Sequence, residues 1–91
     1  MNTEPRDVMI KRLRMRSMRR GIKEMDLILS AYADAHLDGH SDAELAEYDA
    51  LLAENDHDIY GWITGHLQAP AHYSSLMNAI TATAQGVVRP R

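Results

Sequence analysis

The sequence predicts an all-α protein, a compact bundle of about five short helices. Three observations carry that prediction. Apolar residues recur at spacings of three and four through most of the chain, no segment alternates apolar and polar residues as a half-buried strand does, and helix-start and helix-stop residues cut the chain into short pieces. No internal repeat and no low-complexity linker interrupts the 91 residues. The expected organisation is one helical domain over 1–91, with flexible ends at about 1–6 and 86–91.

The first helix runs from Asp7 to about Arg19. Met9, Ile10 and Leu13 lie on one side, and Arg12, Arg16 and Arg19/Arg20 form a basic stripe on the other. Met15 and Met18 fall off the apolar stripe; they widen it or stand exposed for a partner, because methionine adapts to irregular contacts. Gly21 breaks the pattern. The second helix then carries the most regular stripe in the chain, Ile22, Met25, Leu29, Tyr32 and His36, with Ile28 and Ala33 beside it. Leu37-Asp38-Gly39-His40 ends it, Gly39 being suited to a left-handed position after the last turn.

Ser41 and Glu44 have the spacing of a capping box and open a third helix. Its buried face is Leu45, Tyr48, Leu51 and Leu52, while Glu47, Asp49 and Glu54 point to water. Asn55 or Asp56 caps a short fourth helix carrying Ile59, Trp62 and Ile63, and Gly65 closes it. Pro70 suits the first position of a fifth helix, whose inward stripe is Tyr73, Leu76, Met77, Ile80 and Ala84.

Composition excludes several functions. A chain this short buries a modest core and has no room for an enclosed substrate cavity. With no cysteine there is neither a disulfide nor a thiolate metal site. No apolar run approaches the ~20 residues of a membrane helix. Residues Met1–Asp7 lack a signal-peptide core, and their acidic members do not suit a transit peptide, so a soluble cytoplasmic protein is expected. The net charge of −3 hides an asymmetry. Residues 1–25 carry eight Lys/Arg against Glu4, Asp7 and Glu24, whereas the remainder carries Arg89 and Arg91 against ten carboxylates. A basic arm on an acidic body fits a solvated helix face, an acidic protein partner or a nucleic acid. No aromatic residue is interleaved with the arginines, and the acidic body would repel a polyanion.

No constellation reads as catalytic or metal-binding. His36, His40, His57, His66 and His72 are scattered without metal-ligand spacing, and Asp56/Asp58 reads as helix capping before acid–base chemistry. Trp62 reads as a core anchor for the fourth helix. The group Arg20, Gly21 and Glu24 is different. Glycine inside a helical pattern costs about 1 kcal/mol. An i,i+4 pair between Arg20 and Glu24 returns only about 0.2–0.5 kcal/mol. Stability therefore accounts poorly for the group. A recognition edge accounts for it better: Gly21 lets a partner backbone come close, Arg20 offers a planar fork of donors and Glu24 an acceptor.

The run Arg-Arg-Gly-Ile-Lys-Glu-Met-Asp at 19–26 resembles the Arg-Gly-x-x-Glu signature of the SdhE family, the FAD assembly factors of succinate dehydrogenase, also called succinate dehydrogenase assembly factor 2. Tyr48-Asp49-Ala50-Leu51-Leu52, followed by Asn55-Asp56-His57-Asp58-Ile59-Tyr60-Gly61-Trp62, resembles the family's second block. The similarity extends from about Ile10 to Ala84.

The resemblance implies a five-helix protein that is not an enzyme and holds no cofactor tightly. Its partner would be the flavoprotein subunit of succinate dehydrogenase, or that of fumarate reductase, and it would promote covalent FAD attachment to that subunit. Arg20, Gly21 and Glu24 match the docking motif and Asp26 a position that often follows it. Arg19 and Arg16 belong to a basic run that would steer docking onto an acidic surface. Trp62, Asp58 and Leu52 match structural positions. The competing expectation is a small regulatory or nucleic-acid-binding, antitoxin-like protein that uses the arginine stripe.

Overall fold

In the computed structural model, which describes residues 4–87, the chain forms α1 (Arg6–Arg16), α2 (Lys23–His36), α3 (Asp42–Leu52), α4 (Asp56–Thr64) and α5 (Ser74–Val87). Single 3-10 turns at Leu37–Gly39 and Ala71–Tyr73 lead out of α2 and into α5. The all-α bundle of five short helices is as the periodicity predicts, and its radius of gyration is 12.8 Å, close to the ~12 Å of a compact chain this long. Of the ends expected to be flexible, 1–3 and 88–91 lie outside the described residues.

α2 and α5 form the most extensive helix pair, α1 lies across α2 and α3, and α4 packs on α5. The core follows the predicted stripes except at His36, which is exposed while its neighbour Leu37 is buried. Leu13, Met25, Leu29, Leu45, Tyr48, Leu51, Ile59 and Ile80 are fully buried. Each such side chain contributes about 1.5–3 kcal/mol relative to exposure. Met15 and Met18 do not widen the α1 stripe; both are exposed.

The caps hold the elements in register. Ser41 Oγ accepts from the Glu44 N–H at 3.1 Å, and Glu44 accepts from the Ser41 N–H at 2.7 Å, so the capping box is formed. Asn55 caps α4 by accepting from the His57 N–H at 2.8 Å. Gly65 closes α4 in the left-handed conformation, φ 86°. Gly39 does not take that conformation; it ends the 3-10 turn instead. Pro70 precedes the short 3-10 turn rather than opening α5 directly.

The largest departure from expectation lies between α1 and α2. α1 stops at Arg16, not Arg19. The fully buried Ser17 ends it, sending its hydroxyl back to the Leu13 carbonyl at 2.8 Å and meeting the Tyr48 hydroxyl at 2.6 Å. Left-handed backbone at this junction falls on Arg19, φ 57°, and not on Gly21. A non-glycine residue there costs roughly 1–2 kcal/mol, so the contacts that follow Arg19 must hold the turn.

Candidate docking edge

Most of the basic stripe has acidic partners within the chain. Arg12 donates to both oxygens of Asp49 at 3.1 and 3.0 Å and also to Glu4. Arg16 reaches Asp49 at 2.5 Å. Arg6 pairs with Asp42, and Arg14 with Asp38. Asp49 was expected to point to water. It receives two guanidinium groups because the basic face of α1 turns onto α3, and the hydrogen bond from Arg12 holds its carboxyl below the usual carboxylate range. The same pairing, with Asp49 ahead of Glu4, raises Arg12 above its ordinary value.

Arg20 is tied more closely. Its Nε donates to Asp56 Oδ1 at 2.8 Å and its Nη2 lies 2.7 Å from the same oxygen. Nη1 donates to the Arg16 carbonyl and Nη2 to the Leu52 carbonyl, both at 2.9 Å. These are terminal carbonyls of α1 and α3, which have no partner inside their own helices. The second oxygen of Asp56 accepts the Gly21 N–H at 2.7 Å. Asp26, in the first turns of α2, accepts the backbone N–H of Arg20. One guanidinium and one carboxylate thus gather the ends of α1 and α3 and the starts of α2 and α4.

This arrangement separates the residues singled out in the sequence into two groups. Arg16, Arg20 and Asp26 face into the chain. The Arg20 side chain is only 12% exposed, so its donor fork is turned inward and not toward solvent as the recognition-edge reading had it. Arg19, Gly21 and Glu24 form an exposed edge, and among the described residues Arg19 and Glu24 have no side-chain hydrogen bond or ion pair. Leu27, one turn beyond Glu24, is half exposed and adds an apolar member to that side of α2. The edge therefore offers a cation, a carboxylate and a stretch of backbone without side-chain cover, mounted on a braced junction.

Leu52 is buried and supplies a carbonyl to the brace. Trp62 is half-buried against the core with its ring 6.0 Å from that of Tyr73. Asp58, read as structural, is exposed in the first turn of α4, and Asp56 makes the bracing contacts in its place. Asp56 went unrecognised because an aspartate next to Asn55 reads as a cap. The available signal was that Asn55 already fills that role, leaving a second carboxylate at the same helix start.

A family model described as "Flavinator of succinate dehydrogenase" matches residues 11–84. Among curated relatives, the mitochondrial succinate dehydrogenase assembly factor 2 of Schizosaccharomyces pombe is 44% identical over 72 residues, covering 79% of this chain and 52% of the relative. That of Meyerozyma guilliermondii is 52% identical over 61 residues, covering 67% and 45%. Assembly factor 2-A of Drosophila yakuba is 37% identical over 94 residues, covering 97% and 58%. The chain spans about half the length of the curated relatives it matches. The expectation of a cytoplasmic protein is overturned by these names, each of which places its protein in the mitochondrion. The matched span runs from α1 to the last turns of α5 and takes in both sequence blocks and the whole Arg20–Asp56 brace; the chain belongs to the family of flavinators of succinate dehydrogenase.

Proposed function

We propose that this protein is a succinate dehydrogenase assembly factor that binds the flavoprotein subunit and promotes covalent attachment of FAD to it. It acts as a helper and not as the catalyst: the bond forms between the subunit and its flavin, and this chain holds no FAD of its own. The family match carries the reading. The exposed Arg19-Gly21-Glu24 edge supports it as the contact surface, because docking needs accessible groups held in fixed geometry. Arg16, Arg20 and Asp26 serve that surface from behind. Glu24 gives a charge-assisted hydrogen bond to a donor on the partner, and Gly21 lets the two backbones approach. The nucleic-acid alternative has little to stand on, since Arg6, Arg12, Arg14, Arg16 and Arg20 are all engaged with carboxylates of the same chain.

The test is in-gel flavin fluorescence of the flavoprotein subunit in cells that express this protein or its variants. Glu24→Ala is expected to keep the helix content measured by circular dichroism and to lose most covalent flavin. Normal flavin incorporation with Glu24→Ala would remove the edge from the mechanism. Normal incorporation in cells without the protein would remove the function.

A further inference from the structure

We propose that Asp56 is a positioning residue for the docking edge, and that Gly21 is required at its position by Asp56 as well as by the partner. This rests on the assembly-factor reading above and adds a residue behind the surface. The two oxygens of Asp56 have separate tasks: Oδ1 takes the Arg20 guanidinium and Oδ2 takes the Gly21 N–H at 2.7 Å. Through the second bond the carboxylate fixes which way the Arg20–Gly21 peptide faces. That peptide joins the exposed left-handed Arg19 to the start of α2, where Glu24 stands, so its orientation sets the spacing of the two charged members of the edge.

The same contact constrains position 21. Gly21 has no positive φ to account for it. A Cβ built on it would lie 3.3 Å from Asp56 Oδ2, with no other heavy atom within 4 Å outside its chain neighbours. That is tight enough that the carboxylate must give way. The carboxylate cannot give way freely, because its other oxygen is held by Arg20, whose guanidinium is in turn held by the Arg16 and Leu52 carbonyls. Any side chain at 21 therefore acts on the partner and on Asp56 together. Asp56→Asn is the complementary change. An amide presents an NH2 group either to the Gly21 N–H or to the guanidinium, so a donor faces a donor on one side.

The experiment is a double-mutant cycle on affinity for purified, flavin-free flavoprotein subunit, at a temperature where thermal melts show every variant fully folded. Asp56→Asn and Gly21→Ala are each expected to weaken binding about tenfold or more, and the double variant to bind no more weakly than the worse single one. Asp56→Asn that lowers the melting temperature but binds like wild type shows a merely structural residue and overturns the proposal. Independent, multiplying losses overturn the coupling to Gly21. Glu24→Ala, run alongside, separates the two readings. If Glu24→Ala weakens binding and Asp56→Asn does not, only the positioning role falls. If Glu24→Ala has no effect, the edge itself falls and the positioning role with it. Should Asp56→Asn fail to fold, Asp56→Glu replaces it in the cycle. Hydrogen exchange at the wild-type Gly21 amide then gives a second reading: protection is expected, and exchange at the free-peptide rate overturns the proposal.

Discussion

Ser17 is the one described residue outside the apolar and aromatic types whose whole side chain is buried, and its surroundings show how a core accepts a hydroxyl. Its O–H donates to the Leu13 carbonyl, which leaves its oxygen free to accept the Tyr48 O–H at 2.6 Å. Tyr48 has only a long alternative, the Leu29 carbonyl at 3.4 Å. Burial pushes the Tyr48 phenol up to about 12, consistent with a hydroxyl that remains a donor throughout the working range. The two partners are thus unequal. Ser17→Ala strands a buried phenol and is expected to cost about 1–2 kcal/mol in urea denaturation, whereas Tyr48→Phe leaves Ser17 its own backbone bond and costs less than about 1 kcal/mol. The double variant should cost no more than Ser17→Ala alone. Nothing in the sequence marks Ser17 as buried: it lies inside an arginine-rich helical pattern, and its partner lies on another helix.

Among the elements, α3 and α4 were largely legible and the α1–α2 junction was not. A capping box and a left-handed glycine are local devices, set within a few residues, so Ser41, Glu44 and Gly65 did what their spacing indicates. Gly65 offers a clean check, because a Cβ there meets nothing within 4 Å. Gly65→Ala is therefore a test of backbone conformation alone, expected to cost about 1 kcal/mol of stability by thermal or chemical denaturation. A larger loss would mean that packing, not φ, demands glycine there. The end of α1 is different in kind. The helical pattern of residues 7–19 continues past Arg16 in sequence, yet the helix stops there. Contacts from α3 and α4 to Ser17, Arg20 and Gly21 are what turn the chain.

On the scale of the whole molecule, charge asymmetry along the chain becomes charge complementarity in space. The basic first third lies on acidic groups of the remainder, Asp42, Asp38, Asp49 and Asp56. The exposed pairs among them contribute about 0–1 kcal/mol each, too little to set how the helices cross; they follow a crossing that the apolar faces decide. Asp49 gives the pH dependence. Its carboxyl lies below the ordinary value of 3.8 in the folded chain, so the unfolded chain binds a proton first as pH falls. The stability it contributes is present above about pH 4 and is lost as pH drops through the lower folded value. Melting temperatures of wild type and Asp49→Asn should therefore differ most near neutral pH and converge as the pH falls below the ordinary carboxylate value. Curves that stay parallel would exclude Asp49 ionisation as a source of acid sensitivity.

The sequence by itself determined the five helices apart from the end of α1, the caps at Ser41, Asn55 and Gly65, and most of the core stripes, because helical periodicity and capping act between residues at most four apart. It also determined the family resemblance, through two blocks of residue types at fixed separation. Only the tertiary structure decided what the arginines do. A guanidinium on a long side chain takes whichever carboxylate the crossing of two helices brings within about 3 Å, and that crossing is set by packing of the apolar faces on the other side. Arg20 accordingly became the internal brace, Asp56 its unsuspected partner, and Arg19, Gly21 and Glu24 were left exposed.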